Sequence, residues 1–499
     1  MTIAHDERID GPLSGWQRHE LLAMFEKCLP AHCILSADEE LKPFECDGLS
    51  AYRSQPQLVI LPDTKEQLIV LVKCCAENKV PIVPRGAGTG LSGGAMAIDG
   101  GVMVSLTRMN QILNIDERRM TAKVQPGVRN LAISEAVQNL GLYYAPDPSS
   151  QIACSIGGNV AENAGGVHCL KYGLTVNNVL GVECILADGS LVQVGGDCLD
   201  NPGFDLLALL HGSEGMLALV TEVTVKLLPK PELCRTYLVS FDDVEKAGRA
   251  VGAVIGKGII PAGMEMMDKL AIQAAEDFAH AGYPRDAQAV LICEMDGETS
   301  DVESLDAPLR AILTEEGATE IRMARTPEEQ RKFWLGRKSA FPAVGRLAPD
   351  YYCMDGTIPK RQLPSVLKGI AALSEKYNLA VANVFHAGDG NLHPLILFDA
   401  NIPEQLNKAE ALGGEILALC VQLGGCITGE HGVGREKINQ MCIQFEGSEL
   451  EQFLATKKAF DPQGILNPNK NIPTLARCAE FGAMHVHDGQ LPFPELERF

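Results

Sequence analysis

The sequence lacks a long apolar run and a basic N-terminal leader. No uninterrupted apolar stretch reaches the roughly 20 residues that a membrane-spanning helix needs. The opening residues, MTIAHDERIDG, are acidic and polar, which argues against a secretory signal peptide. We therefore expect a cytoplasmic protein that does not span a membrane and that would meet one only peripherally or through a partner.

Positive charge is also scarce. The chain has 43 lysines and arginines against 64 aspartates and glutamates, so its formal net charge is -21. Non-specific binding to nucleic acid needs a basic surface, and anionic lipid likewise attracts lysine and arginine. The composition therefore excludes nucleic acid as a general partner and excludes direct docking on anionic lipid.

The 16 cysteines show no C-x-x-C spacing. A disulfide framework or an all-cysteine zinc site would show clustered, regular spacing, so we expect reduced thiols that pack as small apolar residues. The absence of a C-x-x-C-x-x-C run also indicates that this chain holds no iron–sulfur cluster of its own.

The chain is long enough for several domains, with 499 residues of which 46% are hydrophobic. Residues 1–230 alternate strands and helices around glycine-rich loops. From about residue 231 the pattern predicts an α/β cap domain, built on an antiparallel sheet covered by helices on one face, that extends to residue 440. Residues 441–499 form a C-terminal segment that we expect to return to the first domain. The fold class is therefore α+β.

Several individual elements can be predicted from hydrophobic periodicity. The first half should contain a helix at 68–79 and a hairpin at 182–194 that turns at Asp188-Gly189. The second half should contain helices at 362–377 and 403–423.

Two segments are rich in glycine. PRGAGTGLSGGA (residues 84–95) carries five glycines, whose backbone N–H groups could surround a pyrophosphate, although an ordinary tight loop explains this segment equally well on its own. The second segment (residues 146–173) carries two glycine pairs among small residues, which suits backbone lying against a large planar ligand. Neither segment matches G-x-G-x-x-G at the start of a helix, so a simple nicotinamide domain is disfavoured.

These loops, RGAGTGLSGG, PDPSS and SIGGNVAENAGGV, resemble the flavin-binding loops of the vanillyl-alcohol-oxidase/PCMH-type FAD family, and LNPNK resembles its returning C-terminal element. The resemblance implies a PCMH-type FAD-binding domain. The first loop contains no histidine or cysteine at a linking position, so we expect non-covalent FAD. The implied cofactor-binding residues are Arg85, Gly86, Ala87, Gly88, Thr89, Gly90, Ser92, Pro148, Ser149, Gly157, Gly158, Asn159, Asn163, Gly165 and Asn467.

A second group of residues is suited to metal chemistry. HAGDGNLH lies between two predicted strands, so a hairpin would bring His386 and His393 side by side, and GEHG later supplies Glu430. Two imidazoles and one carboxylate leave coordination positions open for substrate. Structural histidines would explain the first pair taken alone, and Asp389 is typical of a turn.

The pattern H-x-G-D-G-N-x-H with a later G-E-H-G also resembles the FAD-linked D-2-hydroxy-acid dehydrogenases. The resemblance implies that His386, His393 and Glu430 bind a divalent metal (zinc, iron or manganese) and that His431 is the catalytic base. Arg337 would bind the substrate carboxylate. If the GEHG segment is extended, Glu430 and His431 should point in opposite directions.

The departures from that family concern substrate size. Relatives that act on 2-hydroxyglutarate carry a lysine where this chain has Cys353, and an asparagine where it has Leu395. Both changes remove partners for a second carboxylate. We therefore expect a small monocarboxylate, glycolate oxidised to glyoxylate, with D-lactate as the alternative.

Within that family the resemblance to the flavin subunits of glycolate dehydrogenases runs nearly end to end. It implies a second FAD-type subunit and an iron–sulfur subunit as partners, electron transfer to the respiratory chain, and a peripheral position at the inner membrane. Two other functions compete. A zinc hydrolase would use His386, His393 and Glu430 without flavin, and a non-catalytic relay subunit would bind FAD without substrate.

Overall fold

The computed structural model describes residues 15–197 and 203–473. The strands of the first half are β1 (Ile34–Leu35), β2 (Val59–Ile60), β3 (Ile82–Arg85), β4 (Val102–Ser105), β5 (Ile112–Asp116), β6 (Thr121–Val124), β7 (Leu142–Tyr143), β8 (Val179–Ile185), β9 (Leu191–Gly195), β10 (Leu219–Lys226) and β11 (Leu228–Pro229). Its α-helices are α1 (Arg18–Phe25), α2 (Asp38–Leu41), α3 (Lys65–Asn78), α4 (Asn130–Val137), α5 (Ile156–Glu162), α6 (Cys169–Tyr172), α7 (Thr175–Asn178) and α8 (Leu206–Leu210). Short 3₁₀ turns lie at Ala31–Cys33, Lys42–Phe44 and Gln138–Leu140.

The first half forms two main sheets. One has the order β1-β2-β4-β3, with β2 and β3 parallel to β4. The other is antiparallel, in the order β5-β6-β10-β8-β9. The predicted hairpin at 182–194 is confirmed, because β8 pairs with β9 and Gly189 occupies the turn with a φ of +79°.

Helix α3 shows how the sequence sets its own boundaries. The Thr64 side chain accepts a hydrogen bond from the Gln67 N–H and caps the N-terminus, three residues before the predicted start. The helix buries Leu68, Leu71, Val72 and Cys75 on one face and ends at Lys79, which adopts the left-handed conformation. This packing places β3, which follows directly, in its sheet.

The second half contains the remaining strands and helices. Its strands are β12 (Leu233–Phe241), β13 (Gly263–Asp268), β14 (Ala289–Gly297), β15 (Ala318–Met323), β16 (Asp350–Cys353), β17 (Gly356–Thr357), β18 (Val381–Phe385), β19 (Asn391–Leu392) and β20 (Pro394–Phe398). Its α-helices are α9 (Val244–Gly256), α10 (Lys269–Ala279), α11 (Thr299–Glu315), α12 (Pro327–Lys338), α13 (Ala340–Val344), α14 (Leu363–Tyr377), α15 (Gln405–Gln422), α16 (Met441–Gln444) and α17 (Gly447–Phe460), and a 3₁₀ turn lies at Lys360–Gln362.

The second half is built on one antiparallel sheet of seven strands, in the order β15-β12-β14-β13-β18-β20-β16. The α+β prediction with an antiparallel sheet is confirmed. The expectation that helices cover only one face is wrong. Alternate residues of β14 point to opposite faces: Leu291 packs in a core with α9, α14 and α15, while Ile292 packs in another with α10, α12 and α13.

The predicted hairpin around His386 is confirmed. Strands β18 and β20 are antiparallel, with Ala382 opposite Leu395, and residues 386–393 connect them. The neighbours of this hairpin in the sheet are β13 on one side and β16 on the other. Side chains at the ends of four strands can therefore meet at the hairpin connection.

The chain after α17 runs back to the first half. The Ile82 N–H donates to the Ile465 carbonyl and the Asn467 N–H donates to the Ile82 carbonyl, each at 2.7 Å. The Lys470 ammonium is fully buried and donates to the carbonyls of Gly94 (3.0 Å) and Met96 (2.8 Å). Residues 465–470 thus extend the edge of the β3 sheet and close the first glycine-rich loop.

The two halves also meet through ion pairs. His168 lies between Asp147, on its own half, and Glu294 on β14, at 2.8 and 3.1 Å. Lys171 forms an ion pair with Asp296 at the end of the same strand. These contacts hold the loop that follows the second glycine pair against the antiparallel sheet.

None of the helices within residues 15–197 and 203–473 has the length and apolar character required to span a bilayer.

Candidate functional site

A cavity of about 80 Å³ lies between β3, the beginning of α5 and the segment that leads into β10. It is lined by Arg85 and Gly86 from the first glycine-rich segment and by Gly157 and Gly158 from the second. The fold therefore brings the two segments together at one cavity, although 71 residues separate Gly86 from Gly157 (157 − 86).

The backbone approaches closely along the walls of this cavity. A Cβ atom on Gly157 would lie 2.6 Å from the Cβ of Pro126, and one on Gly86 would clash with the Ser155 hydroxyl. Larger residues would push these segments apart and change the shape of the cavity. This explains why small residues dominate both segments.

Several polar atoms in and beside the cavity have no hydrogen-bond partner in the part of the chain that the structure describes. They are Arg85 Nη1, Ser92 Oγ and Glu162 Oε2. Buried polar groups are costly unless a partner satisfies them, so these atoms indicate a polar ligand. A flavin nucleotide, which joins a polar pyrophosphate to a planar ring, fits this set of groups.

All three predicted flavin-binding asparagines use side-chain atoms for hydrogen bonds within the protein. Asn159 Oδ1 accepts from Asn130 Nδ2 at 3.0 Å, and Asn163 Oδ1 accepts from the Val176 N–H at 3.0 Å. Asn467 Nδ2 donates to the carbonyls of Gly94 and Glu214. Any contact of these three residues with FAD would therefore come from other atoms.

The remaining residues of the predicted flavin set do not line the cavity. Ala87 and Ser149 are exposed. Gly88 packs against the guanidinium of Arg85, which itself donates to the Cys46 carbonyl at 2.8 Å. The others occupy the same two loops and are Thr89, Gly90, Ser92, Pro148 and Gly165.

Sequence reasoning missed two acidic residues at this cavity, Glu162 and Glu214. Burial raises the pKa of both carboxyls. Glu214 accepts from the N–H groups of Val433 (2.7 Å) and Gly434 (2.8 Å), which ties the cavity to the GEHGVG segment. Each of these two glutamates lies within a run of small or apolar residues, and an acidic residue in such a run is the sequence pattern that could have indicated a functional role.

His386, His393 and Glu430 converge as predicted. Each imidazole Nε2 lies 3.2 Å from Glu430 Oε1 and has no hydrogen-bond partner among the described residues. Ligand atoms bound tetrahedrally to one zinc ion are separated by about 3.3 Å, given bond lengths near 2 Å. The three side chains therefore have the spacing of ligands to a divalent cation.

This trio lies directly on the second glycine-rich loop. A Cβ atom on Gly165 would lie 2.7 Å from Glu430 Oε2. The predicted metal ligands and one of the predicted flavin loops are therefore neighbours in space, which is what a reaction between substrate and flavin requires.

The GEHG segment bends around the carboxylate of Asp355. This carboxylate accepts from the backbone N–H groups of Gly429, Glu430 and His431 at 3.0–3.2 Å. Three successive N–H groups on one carboxylate are incompatible with an extended strand, so the expectation that Glu430 and His431 point in opposite directions is wrong. Both side chains lie beside His393, and the His431 ring stacks on it with centroids 4.7 Å apart.

The electrostatics of the segment keep His431 neutral. Burial lowers the pKa of His431 to about 4, and its Nδ1 has no hydrogen-bond partner in the described structure. Burial alone would raise the pKa of Glu430, but its contacts with His386 and His393 hold that pKa well below the ordinary value. Asp355, His393 and His431 form a second group whose donor atoms are close enough to share a cation.

Lys437 stabilises the same segment through hydrogen bonds from its ammonium group. It is fully buried, and its ammonium donates to Asp355 Oδ2 and to the Gly432 carbonyl, each at 3.0 Å. Neither Asp355 nor Lys437 was predicted from the sequence as part of the site.

Arg337 lies on α12 and is only 2% exposed, so it is not a surface arginine. Its Nη2 forms an ion pair with Glu265 Oε2 at 2.6 Å. The Nη2 and Nε atoms have no aligned hydrogen-bond acceptor in residues 15–197 and 203–473. They could therefore bind a carboxylate that enters the site.

Glu265 is a further residue of the site that the sequence did not reveal. It lies on β13, is 1% exposed, and its second oxygen contacts His386 Nδ1 at 2.8 Å. The sequence pattern that could have indicated Glu265 is an acidic residue inside the apolar strand GMEMMD.

The two positions that bear on substrate size face each other. Cys353 on β16 is the register partner of Leu395 on β20, and both are buried in an apolar cluster with Ala340 and Ala343.

Two family models match the chain. Residues 56–195 match a model described as FAD binding domain, and residues 230–471 match one described as FAD linked oxidases, C-terminal domain.

Individual proteins resemble the chain over nearly all of its length. The glycolate oxidase subunit GlcD of Escherichia coli (strain K12) is 63% identical over 499 residues, which is all of both chains. A D-lactate dehydrogenase of Anaerostipes hadrus is 31% identical over 461 residues, covering 90% of this chain and 97% of that one. The crystal structure of p-cresol methylhydroxylase with substrate bound superposes with a TM-score of 0.76 at 18% identity, over 92% of this chain and 97% of that one. This last similarity confirms the PCMH-type fold.

Proposed function

Because the chain belongs to the family of FAD-linked oxidases that includes the glycolate oxidase subunit GlcD, we propose that it oxidises glycolate to glyoxylate, with FAD as the oxidant. It is an FAD-dependent 2-hydroxy-acid dehydrogenase. The observation that carries the proposal for its site is the convergence of Arg337, His431 and the His386–His393–Glu430 trio beside a flavin loop.

Each residue of the site has its own role in the reaction. Arg337 binds the substrate carboxylate through its Nε–H group, which has no acceptor among the described residues. His431, held neutral by burial, takes the proton of the 2-hydroxyl group. When bound, FAD supplies the two-electron acceptor for the hydrogen on the same carbon.

We propose that His386, His393 and Glu430 hold a divalent metal ion, whether zinc, iron or manganese. The geometry of the site supports this, since the donor atoms of the three side chains lie within 4.8 Å of one another. The carboxylates of Glu265 and Glu430 hold the pKa of His386 well above its ordinary value, and a cation bound to the imidazole would take the place of that proton. Such an ion would act as a Lewis acid on the substrate hydroxyl.

We also propose that the FAD is bound without a covalent link. The loop of residues 84–95 contains no histidine or cysteine, so precipitation of the protein in acid should release all of the yellow colour.

The apolar pair Cys353 and Leu395 supports a substrate with one carboxylate. Glycolate is favoured over D-lactate because the relative with 63% identity is a glycolate oxidase subunit, whereas the D-lactate dehydrogenase has 31%.

We propose further that the chain works with other subunits. The name of the Escherichia coli relative describes a subunit, which implies an assembly. A second FAD-type subunit and an iron–sulfur subunit would carry electrons toward the respiratory chain. The protein would then be cytoplasmic and peripheral at the inner membrane through these partners.

Anaerobic reduction of the bound flavin tests the function. Glycolate should bleach the absorbance near 450 nm faster than D-lactate, and 2-hydroxyglutarate should bleach it slowly or not at all. Faster bleaching by D-lactate would reassign the substrate. A protein that stays oxidised with every acid would be a relay subunit, and a colourless protein that hydrolyses a test ester would be a zinc hydrolase.

The metal site has its own test. His386→Ala and His393→Ala should each lose the bound metal and keep FAD, because both histidines lie on the antiparallel-sheet half and neither lines the flavin cavity. Elemental analysis beside the flavin spectrum measures both. His280→Asn, which changes an exposed histidine of the same half, is the control and should keep metal and flavin. Full metal content in both alanine variants would remove these histidines from the site.

A further inference from the structure

We infer that Glu265 is a positioning residue that sets both the metal-binding nitrogen of His386 and the orientation of Arg337. The inference rests on the proposed function, since it concerns the same site. Glu265 lies in the middle of β13, whose neighbours are β14 and β18, and its side chain is buried among them. A carboxylate in the interior of a sheet is costly unless its oxygens have partners.

The two oxygens of Glu265 have different partners. Oε1 contacts His386 Nδ1 at 2.8 Å, and Oε2 contacts Arg337 Nη2 at 2.6 Å. The residues that we assign to metal binding and to substrate binding are therefore connected by a single side chain.

The contact with His386 decides which imidazole nitrogen is free. A carboxylate only accepts hydrogen bonds, so Nδ1 must carry the proton at this contact. Nε2, the nitrogen that faces Glu430 at 3.2 Å, is then the one whose lone pair can bind a cation. Carboxylates that fix a metal-binding imidazole in this way typically contribute 10–100-fold in metal affinity.

The contact with Arg337 acts on the substrate. The guanidinium is almost fully buried, and the ion pair with Glu265 holds its position at one nitrogen. Arg337 Nε has no hydrogen-bond acceptor among the described residues, so its N–H group can bind the substrate carboxylate. Without Glu265, the Arg337 side chain would rotate toward another hydrogen-bond acceptor.

The test is the variant Glu265→Gln. Its amide has one acceptor oxygen, so it can satisfy His386 or Arg337 but not both. Binding of Zn²⁺ to metal-stripped protein, measured by equilibrium dialysis, should weaken about 10–100-fold. At saturating metal the KM for glycolate should rise about 10-fold or more, since hydrogen bonds to charged groups are strong, while kcat changes less.

Two controls separate this role from a merely structural one. Asp268→Asn removes a carboxylate at the end of the same strand, where it caps α10 and accepts from Asn383, and should leave Zn²⁺ affinity and KM near those of the parent. In an Arg337→Met background, Glu265→Gln should raise KM no further, because its effect on substrate passes through the arginine. If Glu265→Gln does not fold, Glu265→Asp keeps the charge but cannot span both partners, and it should show the same changes.

The inference is overturned if Glu265→Gln, or Glu265→Asp in its place, keeps Zn²⁺ affinity within threefold and KM within twofold. Equal weakening by Asp268→Asn would likewise assign the effect to general stability. A parent protein that binds no Zn²⁺ or is not reduced by glycolate would instead overturn the proposed function, so the two failures are distinguishable.

Discussion

Replacing His431 by asparagine or alanine should slow reduction of the bound flavin by glycolate about 10²–10⁴-fold, the usual contribution of a positioned base. On the scale of the activation barrier this is about 3–5 kcal/mol. The reason is that His431 is the neutral imidazole beside the trio, with a buried Nδ1 that has no partner among the described residues. Stopped-flow reduction by glycolate and by D-lactate measures the effect.

Metal and FAD content serve as the controls for the His431 variants. Both should be nearly unchanged, because Glu430 and the two other histidines form the proposed ligand set. A reduction rate within a few-fold of the parent would show that another group takes the proton. Loss of the metal would show that His431 is itself a ligand, in the alternative group with Asp355 and His393.

Replacing Asp355 by asparagine should destabilise the protein by about 3–5 kcal/mol, because the buried ammonium of Lys437 keeps only the carboxyl of Glu436, 3.8 Å away, whose pKa burial raises to about 8. The carboxylate also accepts three backbone N–H groups and the Thr428 hydroxyl, so the GEHG segment should lose its shape. The midpoint of unfolding in urea, followed by fluorescence, measures the loss.

A double variant provides the matched comparison. Asp355→Asn with Lys437→Met removes both charges and should unfold closer to the parent than the single Asp355→Asn variant does. A single variant that unfolds within about 1 kcal/mol of the parent would contradict the assignment, since removing one partner of a buried pair is strongly destabilising.

The features that could be predicted from the sequence are those encoded by residues close to one another in the chain. The hairpin that joins His386 to His393 follows from two apolar strands around a short turn-rich connection, and the two glycine-rich segments carry their own composition. These residues could be assigned without knowledge of the rest of the chain.

The contributions of Glu265 and Asp355 depend on the order of strands in the sheet. Strand β13 pairs with β18 and β16 pairs with β20, so these two acidic residues reach the hairpin from opposite sides. Glu265 is 121 residues from His386, and Asp355 is 75 residues from Glu430. No periodicity in a single sequence specifies such an order.

The sequence did contain a local indication that helices cover both faces of the sheet. Strand β14 reads AVLICEMDG, a nearly continuous apolar run, which is typical of a strand covered on both faces. A strand with one face in water would alternate instead.

The return of residues 465–470 to β3 has a consequence for biosynthesis. Asn467 and Lys470 bind the Gly94 carbonyl, which lies 373 and 376 residues earlier in the chain. During translation the first glycine-rich loop emerges from the ribosome long before the residues that close it. The nascent first half should therefore be unable to retain FAD, and the cofactor should be captured only after nearly the whole chain has been released.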